Sequence, residues 1–221
     1  MQKTMGIGRR AFLEFVTTAV GGLILDPMKT VAINGDYYVD TSLGLGFVKP
    51  NDWLFEKDQD FGTKLQGQIV NGFELGTKEE EEFRRDQAST LVATISKYDH
   101  MASRFSPSIT IFKNQDDYES LKPINLEGIV DHFVDGCTVL LRDYEVIELP
   151  CQREVSQCAS VRFKSRWVFE HREIESVLIN DQTIMIDQGS ALYTIHLFDS
   201  PYTGEDTSNQ FSRFLKNLHI A

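Results

Sequence analysis

The chain has 221 residues, 41% hydrophobic and 11% aromatic, with 33 Asp and Glu against 22 Lys and Arg, a formal net charge of −11. It is too apolar for a disordered chain and too polar for a protein with many membrane spans, and its length suits one domain with a short extra segment. The acidic excess excludes a broad electrostatic grip on a phosphate backbone, so no nucleic-acid partner is expected.

The first 32 residues differ from the rest. Lys3, Arg9 and Arg10 make a basic start, and an apolar run from Ala11 to Leu25 follows, interrupted by Glu14 and two threonines. Thr30-Val31-Ala32 supplies small residues three and one positions before a cut after Ala32. These are the marks of a secretory signal. Gly8-Arg9-Arg10-Ala11-Phe12-Leu13 resembles the twin-arginine export motif, in which paired arginines precede a Phe-Leu step. The expected organisation is therefore a signal peptide over 1–32, with Arg9 and Arg10 as its export residues, and a domain over 33–221. The competing reading is an N-terminal amphipathic helix with an incidental Arg-Arg pair. The apolar run is shorter than the ~20 residues a helix needs to cross a bilayer, so no stable span is expected after cleavage. Glu14 and Asp26 are the acidic residues of this segment, against Lys3, Arg9, Arg10 and Lys29, so the domain alone carries −13.

After Ala32 the pattern is of alternating strands and two amphipathic helices. Leu91, Ala93 and Ile95 share one strand face, with Thr90, Thr94 and Ser96 opposite. Ile109 and Ile111 alternate with Ser108 and Thr110. Asn125 is placed to cap a helix whose stripe is Leu126, Ile129, Val130, Phe133, Cys137, Leu140 and Leu141, with Glu127, Asp131, Asp135 and Arg142 opposite. Val161, Phe163, Ser165, Trp167 and Phe169 form one side of a half-buried strand, and Arg162, Lys164, Arg166 and Glu170 the other. Asn180-Asp181-Gln182, between two apolar triplets, reads as a hairpin turn. Leu192 to Phe198 reads as a central strand. Thr207 or Ser208 caps a closing helix that presents Phe211, Phe214, Leu215 and Leu218. The expected class is α+β, a central, mostly antiparallel sheet flanked by helices. The charge block from Lys78 to Arg85 reads as a solvated loop or short helix.

Asp36-Tyr37-Tyr38-Val39-Asp40, followed by Gly46-Phe47-Val48-Lys49-Pro50-Asn51-Asp52-Trp53, resembles the opening of the PsbP-like proteins. In that family a strand with a Gly-Phe step runs into a Pro-x-x-Trp turn. Pro50 stops ladder pairing while Trp53 can tuck back against the sheet. The order of later elements follows the same pattern over roughly Ile33 to Ala221. The resemblance implies the Mog1/PsbP/DcrB-type fold, an α/β/α sandwich, and export to the periplasm, or to the thylakoid lumen in a photosynthetic host. It implies a non-enzymatic binding or assembly protein working on another exported or membrane-associated protein, photosystem II being the target where the host is photosynthetic. The family has no common catalytic motif to carry over.

Chemistry is sparse. Of three cysteines, Cys137 falls on the apolar side of the first helix and reads as a buried thiol. Cys151 and Cys158, seven apart around an expected turn, are the candidate disulfide, spanning neighbouring strands in an oxidising compartment. The five histidines, at 100, 132, 171, 196 and 219, are scattered. Asp131, His132 and Asp135 offer at most a weak cation site, and a solvated acidic face is favoured there. Asp99-His100 with Ser103 has catalytic residue types, but triads are set by geometry rather than adjacency. His196 reads as a hydrogen-bonded core histidine. No catalytic residue, cofactor or metal is therefore assigned. The alternative is an exported hydrolase or other small-molecule enzyme, which requires a histidine meeting a carboxylate or hydroxyl in a cleft.

Overall fold

The computed structural model describes residues 31–57, 67–71, 73–74, 90–99, 105–114, 124–172, 174–203 and 207–221. They fall into two compact units. The first holds a four-stranded antiparallel sheet in the order β1 (Val31–Asn34), β2 (Tyr37–Asp40), β3 (Leu45–Val48) and β13 (His219–Ile220). Asp40 builds the turn after β2. Its carboxylate accepts from the Ser42 and Leu43 backbone N–H groups at 2.9 and 3.1 Å and from the Ser42 hydroxyl at 2.7 Å. Gly44 closes that turn at φ +63, where a Cβ would lie 3.0 Å from the Ala221 carbonyl oxygen. The Ala221 N–H donates to the Gly44 carbonyl at 2.9 Å, so the last residue is tied to the first sheet.

The helix that covers this sheet is α2 (Ser208–Lys216), with Thr207 as its N-cap residue. Its Phe214 meets Phe47 edge-on at 5.4 Å, and Phe47 stacks on Tyr38 at 4.6 Å. Phe211, Phe214 and Leu218 are buried as expected, and Arg213 and Lys216 lie in the last turn, where cations suit the helix dipole. A hairpin tip belongs to this unit too. Ser156 and Gln157 both have left-handed backbones, φ 51 and 65, the geometry of a two-residue hairpin turn. The Ser156 hydroxyl accepts from the Ile220 N–H at 2.8 Å.

The second unit holds a nine-stranded sheet. Its strands are β4 (Leu54–Phe55), β5 (Gln68–Val70), β6 (Phe73–Glu74), β7 (Leu91–Ser96), β8 (Ser108–Asn114), β9 (Arg142–Val155), β10 (Cys158–His171), β11 (Ile174–Asp187) and β12 (Leu192–Asp199). The order is β4-β7-β8-β12-β11-β10-β5-β6, with β9 also pairing to β10. With α1 (Leu126–Leu140) and α2, the sheets make the protein α+β and mainly antiparallel, the class expected.

Two adjacent rows across this sheet differ in chemistry. Ala93, Ile111, Ile195 and Ile184 are cross-strand neighbours and buried. The next row, on the opposite face because side chains alternate, is Thr94, Thr110, His196 and Thr183. All four are also buried. Helix α1 packs Ile129 and Val130 against Val161, Phe163, Met185 and Leu192. Asn125 caps it as expected, its side chain accepting from the Gly128 N–H at 2.8 Å.

Two expectations are corrected. Asn180-Asp181-Gln182 is not a turn: β11 runs unbroken through it, because Asp181 faces inward and finds partners in the core. The turn comes after Asp187, where the Gln188 N–H donates to the Ala191 carbonyl at 3.1 Å. The apolar stripe of α1 also stops short, since Leu140 is exposed and Leu141 is already the C-cap.

Candidate functional site

The polar row gathers at His196. Its Nδ1 lies 2.9 Å from Asp181 Oδ2, and the Thr183 hydroxyl donates to the same oxygen at 3.1 Å. A carboxylate only accepts, so Nδ1 carries the proton in this pair. Rings enclose the imidazole: Phe198 stacks on it at 5.3 Å, with Phe133 and Phe112 at 5.8 and 5.9 Å. Phe133 comes from α1 and the other two from strands β8 and β12, so helix and sheet together fix the ring. Thr183 stands 3.4 Å from Nδ1, on the same side as the carboxylate. In a nucleophilic triad the hydroxyl stands at the other nitrogen. The trio therefore has the geometry of a core hydrogen-bond cluster.

Cys137 of α1 and Ser165 of β10 both interact with Tyr144 of β9. Burial, then the nearby Asp181 charge, push the Cys137 thiol up to about 12, against a smaller opposing effect of Tyr144. Burial also pushes the Tyr144 phenol up to about 12, with Ser165 opposing and Cys137 and Asp181 adding. Cys137 is thus held as a thiol, unsuited to nucleophilic attack.

A second feature is the surface of β9. Among the described residues this 14-residue strand pairs with β10 alone, leaving its other edge open. Ile147 and Leu149 are 44% and 79% exposed, and Val139 and Leu140 at the end of α1 are 68% and 51% exposed. Pro150, which lacks an N–H, interrupts the edge, as prolines in sheets do at edge strands. Charges fasten β9 to β10. Glu148 takes Lys164 at 2.7 Å and Arg162 at 3.0 Å, and the Lys164 hydrogen bond leads in holding its carboxyl below the usual range. Arg142 pairs with Glu170. Sequence periodicity missed β9, whose exposed, charge-rich pattern carries no clean apolar face.

The structure separates the residues singled out from sequence. Arg9 and Arg10, His100, Ser103 and the Lys78–Arg85 block lie outside the described residues. Cys137, Cys151 and Cys158 are not joined to one another by a disulfide. Cys158 opens β10, and Cys151 sits four residues before the end of β9, so the two do not face each other across the hairpin. Asp131, His132 and Asp135 lie on the exposed side of α1. No group of three or more His, Cys, Asp or Glu able to hold a metal occurs among the described residues. His171, at the end of β10, stacks on Phe169 at 6.1 Å. His219 is half-buried in β13, and burial lowers its pKa. No helix among the described residues is long and apolar enough to cross a membrane.

No protein-family model matches the chain, and no curated protein matches it. Similar solved structures exist. The cyanobacterial PsbP (CyanoP) of Synechocystis sp. PCC 6803 is 13% identical with a TM-score of 0.48, covering 88% of this chain and 99% of that one. LpqN of Mycobacterium tuberculosis, described as involved in cell envelope biogenesis, is 8% identical with a TM-score of 0.41, covering 80% and 83%. A Pseudomonas aeruginosa protein of unknown function is 12% identical with a TM-score of 0.40, covering 50% and 70%.

Proposed function

We propose that the chain is an exported, non-enzymatic binding or assembly protein of PsbP-like type that works through protein–protein contacts. The observation that carries this reading is the edge of β9 between Arg142 and Leu149, which no second strand among the described residues covers, with Ile147 and Leu149 exposed on it. Such an edge presents unpaired N–H and C=O groups, a template for an added strand, and exposed apolar side chains give the addition its selectivity. The occupant is an extended segment of a different protein, apolar and basic. The charge of −11 on the chain favours basic partners and opposes a second copy of itself. The N-terminal basic and apolar segment supports export, and the Asp36–Trp53 resemblance supports the PsbP-like assignment. In a photosynthetic host the partner would be a photosystem II component in the thylakoid lumen; elsewhere it would be an envelope or periplasmic protein.

The alternative, an exported hydrolase, draws on the His196–Asp181 contact alone, and the placement of Thr183 on the Nδ1 side does not favour it. A photo-crosslinking residue at position 149, introduced in the native host, tests the binding role. The expected product joins position 149 to an extended, basic segment of a different protein, and the same probe at the helix position of Asp131 gives none. Cross-links to a second copy only, or equal yields at both positions, would overturn the reading.

A further inference from the structure

A side chain closes the outer edge of the four-stranded sheet. Among the described residues β13 pairs with no strand but β3, Ile220 standing opposite Leu45 and His219 opposite Gly46. Along an antiparallel strand, residues alternately turn both backbone groups toward the partner strand or away from it. The Ala221 N–H donates to the Gly44 carbonyl at 2.9 Å, on the β3 side, so Ile220 turns its N–H and C=O outward. Both outward groups meet one atom. The Ser156 hydroxyl accepts from the Ile220 N–H at 2.8 Å and donates to the Ile220 carbonyl at 3.4 Å. It stands where the backbone of a fifth strand would stand, which is one way to cover a sheet edge.

The turn that delivers this hydroxyl holds an unfavourable backbone. Ser156 and Gln157 have φ of 51 and 65, a region that is costly for L side chains and that two-residue hairpin turns favour filling with Asn-Gly, Asp-Gly or Gly-Gly. Neither residue is Asn, Asp or Gly. Contacts at the tip offset the strain. They are the two bonds to Ile220 and the Cys158 thiol, which donates to the Ser156 carbonyl at 3.7 Å. We infer that the tip of the β9–β10 hairpin is a strap with two positions. Shut, the left-handed turn seats Ser156 on Ile220 and covers the sheet edge. Open, the turn relaxes and the outward groups of Ile220 are bare. Strain and latch oppose each other within a few bonds, so a small change at the tip moves the balance. The strap is independent of the binding role proposed for β9, because it requires no partner.

Native-state amide exchange of the whole chain, read by NMR, tests the strap through two variants with opposite expected effects. Ser156→Ala removes the hydroxyl and keeps the strain, so the Ile220 N–H should exchange at least about tenfold faster. Gln157→Gly keeps the hydroxyl and removes one left-handed penalty, so the shut position gains and the same N–H should exchange several-fold slower. In both variants the change at Ile220 should exceed that at Val39 of β2 and Ile195 of β12. An unchanged Ile220 rate in Ser156→Ala would overturn the strap, as would Gln157→Gly failing to slow it. Equal factors at all three amides would do so too, since they mark a change in global stability and not a local opening.

Discussion

His196 and Asp181 stand on neighbouring strands, two positions out of register, with Nδ1 2.9 Å from Oδ2 inside the sheet. His196 is the direct cross-strand partner of Thr183, and Asp181 lies one pleat further along the same face. The contact thus ties β11 to β12 by side chains in addition to their backbone ladder. Removing one member leaves the other buried without its partner, which is the expensive way to break such a pair. His196→Ala is expected to cost about 3–5 kcal/mol in urea unfolding. The double variant Asp181→Leu with His196→Phe should recover most of that loss, because no buried polar group is stranded. A loss below about 1 kcal/mol for His196→Ala would mean that the pair behaves like an exposed one.

That contact also explains the main misreading of the sequence. Asn180-Asp181-Gln182 has turn composition, and local reasoning has no access to a partner 15 residues away on the next strand. Val161, Phe163, Ser165 and Trp167 were legible because burial on one face imposes a period of two, and that face is buried. Likewise Asn125, Phe211 and Phe214 announced their roles through capping chemistry and helical spacing. The β9 edge was not legible. An edge strand with both sides partly wet has no periodic apolar signal, and Ile147 and Leu149 look like core residues until their exposure is seen. The three cysteines could be counted from sequence, but only the hairpin register shows that Cys151 and Cys158 are not opposite.

The cysteines are expected to differ in reactivity. Only the thiolate attacks an alkylating agent, and the Cys137 thiol is pushed up to about 12 by burial and by Asp181. At pH 8 in native buffer, iodoacetamide should label Cys151 and Cys158 and leave Cys137 unmodified, as read by peptide mass spectrometry. Denaturant should expose Cys137 to the reagent. Native labelling of Cys137 at the rate of the other two would refute its assignment as a held thiol.

His219 predicts a stability change on the acid side of neutrality. Burial lowers its folded-state pKa below the ordinary 6.5, so the unfolded chain takes up a proton more readily. Stability from this group is therefore complete above pH 6.5 and declines as pH falls through 6.5 towards the folded pKa. The urea midpoint should drop between pH 7.5 and pH 5.5, and His219→Gln should reduce that drop. An identical pH response in the variant would place the effect elsewhere.

A cut after Ala32 divides β1, since Val31 pairs with Asp40, Ala32 with Val39, Ile33 with Tyr38 and Asn34 with Tyr37. Two of the four pairs would go. β1 is nevertheless an edge strand whose Val31 and Ile33 are exposed, so little apolar burial is lost with them. A chain beginning at Ile33 is expected to keep the fold and to lose no more than about 1 kcal/mol by urea unfolding. Intact mass of the protein from an extracytoplasmic fraction should correspond to that start. A mature chain that retains Val31 and Ala32 would move the cut upstream and leave β1 whole.

Leu149 separates binding from folding. At 79% exposure it contributes almost nothing to the core, so Leu149→Lys should change stability by no more than about 0.5 kcal/mol. On an edge that receives a strand from a basic, apolar segment, the same change removes an apolar contact and adds a like charge. Binding should then weaken at least tenfold, and more at low salt than at high salt, because the added repulsion is screened. Leu149→Glu removes the same apolar surface but keeps the charge favourable, so it should lose less affinity than Leu149→Lys. The comparison needs titration of each variant against the peptide recovered by crosslinking at position 149. Equal losses for Lys and Glu at low salt would leave the apolar contact intact and rule out the basic character assigned to the partner.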